Sequence, residues 1–86
     1  MGRFKAAFFV GLGYSAASWQ RLAEDLRRHA MDNEATPSEP TEYGQKYEVR
    51  GRLTGPRKAA LLVAVWIVRR GEDVPRFVTA FPGARS

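Results

Sequence analysis

Side chains able to exchange protons and bind phosphate are concentrated where Glu48, Arg50 and Arg52 occupy alternate positions. Cleavage of RNA by internal attack of the 2′-hydroxyl needs a proton acceptor, a proton donor and cations around the phosphorus. Glu48 or His29 could accept or donate the proton. Arg50, Arg52 and Arg76 could stabilise the developing charge. His29 also has a purely structural interpretation, because a cation is favourable near the C-terminal end of a helix.

The last predicted strand, residues 75–81, offers aromatic rings beside a hydroxyl. Alternation divides it into Arg76, Val78 and Ala80 on one face and Phe77, Thr79 and Phe81 on the other. If Val78 and Ala80 pack under the helices, Phe77 and Phe81 flank Thr79 on the exposed face. There the rings could stack on bases while arginines bind phosphates. The alternative is that both phenylalanines are core residues and the arginines form a solvated face.

Positive charge is concentrated in the second half of the chain. The 86 residues include 14 Lys and Arg, eleven of them Arg, against 9 Asp and Glu, which gives a net charge of +5. Residues 1–43 carry a net charge of −1, whereas residues 44–86 carry +6. Because the planar guanidinium group forms paired hydrogen bonds with phosphate, this Arg-rich half predicts RNA or another acidic partner.

Composition excludes several kinds of chemistry. The sequence has no cysteine and one histidine, which removes disulfides, thiolate nucleophiles and metal sites built on cysteines or paired histidines. It contains neither a Gly-x-Gly-x-x-Gly motif nor a P-loop, so we predict no cofactor and no metal. No apolar stretch approaches about 18 residues, and no signal-peptide cleavage site follows the short apolar run of residues 6–10. We therefore expect a cytoplasmic protein without membrane association.

Hydrophobic periodicity predicts the elements that position these residues. Trp19, Leu22 and Leu26 recur at helical spacing, whereas Val49 and Leu53 lie in a segment that alternates apolar and charged residues. The patterns predict helices at about 3–12 and 16–31 and strands at about 34–39, 46–54, 58–69 and 75–81. We expect a single domain, residues 1–86, of the α+β class. Its two N-terminal helices would pack on one face of a three- to four-stranded antiparallel meander sheet.

Several short strings together resemble a known family. They are Lys5-Ala6-Ala7-Phe8-Phe9, Leu12-Gly13-Tyr14, Trp19 to Leu22, Tyr43 to Val49, Trp66-Ile67 and Pro75 to Pro82. This set resembles a family of small, functionally unassigned bacterial domains, found alone or at the C-terminal end of secreted toxin and phage-associated proteins. The closing strand also resembles the last strand of the barnase–EndoU–colicin–RelE group of toxin ribonucleases. That group carries its cleavage residues on the free face of a four-stranded antiparallel sheet.

The resemblance implies particular residues and partners. It points to Lys5, Arg76 and Thr79 as site residues and to a cognate immunity or antitoxin protein as a partner. Relatives usually carry a further segment, with a lysine and a tyrosine, before the Lys-Ala-x-Phe-Phe string. If an active-site lysine lies in that segment, a chain that begins at Met1 would bind its target without cleaving it.

Three functional hypotheses remain open on the sequence. The first is a toxin-type, metal-independent endoribonuclease or a relative of one, with catalytic candidates Arg50, Arg76, Thr79, Glu48 and His29. Its nucleic-acid-binding candidates are Lys5, Arg50, Arg52, Arg76, Phe77 and Phe81. The second hypothesis is a non-enzymatic binder from a mobile element that blocks a protein or nucleoprotein partner. The third is a structural module whose positive charge is incidental.

Overall fold

The helical layer comes first in the chain. In the computed structural model, which describes residues 6–83, α1 spans Ala6–Gly11 and α2 spans Trp19–Asp32. A short 3₁₀ turn, Ala16–Ser18, leads directly into α2. In α2, Leu22, Leu26 and His29 are turned inward. Trp19, which the apolar spacing places on the same stripe, is instead 64% exposed. Neither helix in the described part of the chain is long and apolar enough to cross a membrane.

The expectation of two comparable N-terminal helices needs correction, because α1 is short and α2 is the one long helix among residues 6–83. The chain turns after Gly11, where the backbone N–H groups of Leu12 and Tyr14 both donate to the carbonyl of Phe9. Gly13 has a φ of +108°, which a side chain would strain. A Cβ at Gly13 would also lie 2.7 Å from the backbone nitrogen of Arg57. The turn is therefore set by the close approach of the segment that contains Arg57.

The second part of the chain forms four strands. They are β1 (Ala35–Thr41), β2 (Gly44–Thr54), β3 (Ala59–Arg69) and β4 (Arg76–Pro82). Hydrogen bonds join them in the order β1-β2-β3-β4, and every neighbouring pair is antiparallel. The structure thus confirms the α+β class with a four-stranded antiparallel meander sheet.

The position of each strand agrees with its composition. The apolar run of β3 is central, hydrogen-bonded to β2 on one side and β4 on the other. β1 forms an edge and contains Pro37 and Pro40, between which the register with β2 shifts. Proline has no N–H to donate to a ladder, so an edge strand accommodates it at lower cost than a central strand would.

The core lies between the helical layer and one face of the sheet, which we call the helix face. Its buried side chains are those of Phe9, Leu12, Tyr14, Leu26, Leu53, Leu62, Ala64 and Ala80. The hydroxyl of Tyr14 donates to Asp25 Oδ2 at 2.5 Å, and the same oxygen accepts from Arg21 Nε at 2.9 Å. Burial and the hydrogen bond to Asp25 raise the pKa of Tyr14 well above its usual value.

Candidate nucleic-acid interface

The charged side chains of β2 lie on the face opposite the helical layer. Val49 and Leu53 are buried on the helix face, so the residues between and beside them project to the other side. Antiparallel register carries this surface, which we call the open face, across to β3 and β4. The open face consists of Lys46, Glu48, Arg50, Arg52, Leu61, Val63, Val65, Ile67, Arg76, Thr79 and Phe81.

Three rows cross the open face perpendicular to the strands. They are Arg50, Val63 and Phe81; Glu48, Val65 and Thr79; and Lys46, Ile67 and Arg76. Adjacent strands lie about 4.8 Å apart, so the backbones of β2 and β4 are about 10 Å apart within a row. An aliphatic strip from β3 therefore separates a charged strip on β2 from the mixed strip on β4.

A β-bulge at Val78 decides what β4 contributes to the open face. Thr79 and Phe77 pair with consecutive residues of β3, so β4 carries one extra residue, Val78, between them. The extra residue reverses the alternation on its N-terminal side. Arg76 therefore joins Thr79 on the open face, although simple alternation puts these two residues on opposite faces.

The bulge also corrects the expectation that two phenylalanines flank Thr79. Phe77 lies on the helix face, where its ring meets that of Trp66 edge-on with centroids 5.4 Å apart. Phe81 remains on the open face in the same row as Arg50 and is 38% exposed. Phe81, not Phe77, is thus the ring that β4 offers for stacking on the open face.

The arginines of the open face differ in whether they form an ion pair. Nε and Nη2 of Arg76 donate to the Glu72 carboxylate at 3.1 and 3.4 Å. The hydrogen bond to Arg76 lowers the pKa of Glu72 and raises that of Arg76. Both groups are in contact with solvent, so a phosphate can compete for Arg76. Within residues 6–83, Arg50 and Arg52 form no ion pair and are free to bind an anion.

His29 is not brought to the open face. It is 3% exposed, on the side of α2 that faces the sheet. Its Nε2 lies 3.1 Å from the Gly51 carbonyl oxygen, to which it can donate a hydrogen bond. A Cβ at Gly51 would lie 2.3 Å from Asn33, so glycine allows α2 to approach β2 here. The sheet therefore separates the imidazole from Glu48, and proton exchange by His29 at the open face finds no geometric support. Lys5, the remaining binding candidate, lies outside the described residues.

Lys46 belongs to the open face although it is not among the binding candidates from the sequence. It has the same parity as Glu48 and Arg50, so the alternation of β2 was the signal that could have identified it. The open-face residues of β3 could not be identified in this way, because that strand shows no alternation of apolar and charged residues. A continuous apolar strand does not reveal which of its residues face outward.

The family model of a domain of unknown function (DUF6883) matches residues 1–84. The chain belongs to this family. The match confirms the resemblance to a functionally unassigned family, whereas the links to toxins and to ribonucleases stay predictions. No curated protein and no solved structure is significantly similar to the chain.

The open face of this DUF6883 domain unites three kinds of chemistry. Guanidinium groups suit phosphate, the ring of Phe81 suits a base, and the carboxylate of Glu48 can accept a proton. In the part of the chain that the structure describes, no cluster of three or more His, Cys, Asp or Glu could hold a metal ion. The open face thus brings together groups that suit phosphate and a ring that suits a base.

Proposed function

We propose that the open face binds single-stranded RNA. The observation that carries the proposal is the shared face of Arg50, Arg76 and Phe81, which combines phosphate-binding groups with a base-stacking ring. The net charge of +6 on residues 44–86 favours the same class of ligand.

A single strand suits this surface better than a duplex. The bases of a duplex are stacked on one another, whereas an unpaired base can stack on Phe81. Arg50 and Arg52 are two positions apart on β2, about 7 Å along the strand, and could contact successive parts of one backbone. Val65 and Ile67 of the aliphatic strip are half-buried and would lie beneath the sugars and bases, whereas Val63, between Arg50 and Phe81, is buried.

Fluorescence anisotropy with a labelled, unstructured RNA oligonucleotide tests the proposal. We expect the logarithm of affinity to fall with the logarithm of salt concentration, with a slope that each Arg→Ala change at Arg50 or Arg52 reduces by about 0.7. We expect Phe81→Ala to weaken binding by about 1–3 kcal/mol with the salt slope unchanged, because stacking releases no counterions.

Arg28→Ala is the matched control, since Arg28 is an exposed arginine of α2 in the helical layer. It removes the same charge as Arg50→Ala without touching the open face. The proposal fails if Arg28→Ala weakens RNA binding as much as Arg50→Ala does, or if a duplex of the same length binds more tightly than the single strand.

Cleavage of the bound strand is a second candidate function, favoured by the position of Glu48. Glu48 lies between Lys46 and Arg50 along β2 and in one row with Thr79. Its carboxylate could take the proton of a 2′-hydroxyl, whose oxygen attacks phosphorus and displaces the 5′-oxygen. The departing oxygen would take up a proton from Glu48 or water, leaving a cyclic phosphate and a 5′-hydroxyl.

Incubation with tRNA and mRNA separates cleavage from binding alone. A ribonuclease of this kind releases cyclic phosphate ends, and Glu48→Gln should abolish their release while RNA affinity is retained. Intact RNA at micromolar protein would reject cleavage and favour the non-enzymatic binder. Thr79→Val tests whether the Thr79 hydroxyl takes part in cleavage, because it removes that hydroxyl from the row of Glu48 without changing the charge.

A further inference from the structure

A solvent-accessible apolar trough lies on the helix face, beside the part of the sheet that α2 covers. Its volume is about 830 Å³, within the size range of sites that bind other molecules. The central floor comes from β2, β3 and β4 and consists of Tyr47, Val49, Trp66, Val68 and Phe77, and Ala35 of β1 also lines the trough. One wall is α2 and the other is the segment before β4, which includes Val74 and Pro75.

The dimensions of this trough suit an α-helix. Its floor spans β2, β3 and β4, which is about 10 Å across, and a helix with its side chains is about 10–12 Å wide. On the α2 wall, Ala23 and Ala30 are small, so a second helix could approach α2 closely. Covering a sheet face with parallel or antiparallel helices is the usual arrangement of a two-layer fold.

Large apolar side chains are exposed at the rim of the trough. Met31 is 79% exposed and Val74 is 69% exposed, on opposite walls. Exposed apolar residues scattered singly are normal, but here they border a continuous apolar floor. An amphipathic helix would remove both from water together with the rings of Trp66 and Phe77.

The charge at the wall of the trough indicates which charged residues a bound helix would carry. Arg27 is the charged residue among those that line the trough, and within residues 6–83 it forms no ion pair. A guanidinium group beside an apolar floor pairs best with a carboxylate at the border of a partner's apolar stripe. A basic helix would meet repulsion from Arg27.

We propose that this trough binds an amphipathic helix of a protein partner, with Asp or Glu beside its apolar stripe and aligned with Arg27. The site is separate from the open face, because trough and open face lie on opposite sides of the sheet. Binding at the trough therefore leaves the RNA-binding residues uncovered, and the two proposals stand or fall independently.

Two synthetic peptides of about 18 residues, long enough for a helix, serve as probes. Both carry the same leucine stripe, flanked by glutamates in one and by lysines in the other, and neither contains tryptophan. The Trp19→Phe protein is used, since Trp19 is 64% exposed and its replacement leaves Trp66 as the only tryptophan. We expect saturable changes in Trp66 fluorescence with the glutamate peptide and amide NMR shifts confined to the residues that line the trough.

Charge reversal at the wall makes the test specific. Arg27→Glu should weaken the glutamate peptide about tenfold and favour the lysine peptide, because an attraction becomes a repulsion. Arg28→Glu changes the net charge equally, but Arg28 does not line the trough, so its effect should stay below about twofold. Met31→Asp should also abolish binding of the glutamate peptide, and Met31 is exposed enough for the variant to fold.

Four outcomes would overturn the proposal. One is the absence of saturable binding at millimolar glutamate peptide, and another is equal loss of affinity in Arg27→Glu and Arg28→Glu. A third is tighter, Arg27-dependent binding of sodium dodecanoate, which would assign the trough to a small amphiphile. The fourth is self-association of the free protein in sedimentation experiments that Met31→Asp abolishes, which would assign the trough to a second copy of the chain.

Discussion

The two faces of the sheet are formed by the same strands but differ in their exposure to solvent. Leu62 on the helix face is fully buried, while its neighbour Leu61 on the open face is 39% exposed. The open face accepts Arg50 and Glu48 because these groups keep their hydration, whereas a charge at a helix-face position would lose it. Val63 is buried even though it lies on the open face. Stability should therefore depend on the helix face and on Val63, and ligand binding on the exposed residues of the open face.

The helix face is itself divided. One part packs against α1 and α2 around Leu62, and the other forms the floor of the trough around Trp66. Both parts are apolar, but only the first is covered within the described chain. Apolar composition alone thus does not distinguish a residue that holds the fold together from one that is available to a partner.

The largest expected effect comes from truncating neighbours on β3. Leu62→Ala should lower the free energy of unfolding by about 3–5 kcal/mol, because it leaves a cavity in the core. Leu61→Ala should cost about 1 kcal/mol, because the open face is partly solvated already. Urea denaturation of both variants measures the difference, and equal losses would refute the division between the faces.

Tyr14→Phe tests the hydrogen bond within the helical layer. We expect a loss of about 1–2 kcal/mol near neutral pH, since Asp25 keeps Arg21 as a partner. The raised pKa of Tyr14 means that its contribution is complete below about pH 10 and is lost as the pH rises further. Unfolding curves at several alkaline pH values should show the two proteins converging, and a constant difference above pH 10 would contradict the assignment.

Deletion of Val78 tests the origin of the two surfaces on β4. Removing the extra residue should straighten the ladder while Arg76 and Phe77 keep their faces, so stability should change by less than about 1 kcal/mol. RNA affinity should be retained for the same reason. Deletion of Ala80 shortens β4 equally but moves Thr79 into the buried place of Ala80, and it should be clearly more destabilising. Similar unfolding free energies for the two deletions would refute the register.

The smallest expected effect concerns Glu72, which competes with phosphate for Arg76. Glu72→Gln should raise RNA affinity about twofold, because the ion pair is exposed and weak. In the wild-type protein the pair is intact above the lowered pKa of Glu72 and is lost as the pH falls through it. Acidification should therefore strengthen RNA binding more in the wild type than in Glu72→Gln, as anisotropy at matched ionic strength would measure. A lower affinity of Glu72→Gln would instead make Glu72 a residue that positions Arg76.

Much of the open face could be predicted from residue spacing. Side chains of a strand alternate by backbone geometry alone, so the order of Glu48, Val49 and Arg50 was enough to separate charged from apolar positions on β2. The long apolar run of β3 likewise indicated a central strand. These are local properties, and each follows from a few neighbouring residues.

The amino-acid sequence alone determined the α+β class, the antiparallel sheet and the charge of its second half, because periodicity and composition act locally. Tertiary structure decided three other features. The bulge at Val78 depends on pairing with β3, and the burial of His29 depends on how α2 is rotated over Gly51. The trough exists because α2 covers only part of the sheet. Each of these depends on contacts between segments distant in sequence, which no local pattern of residues records.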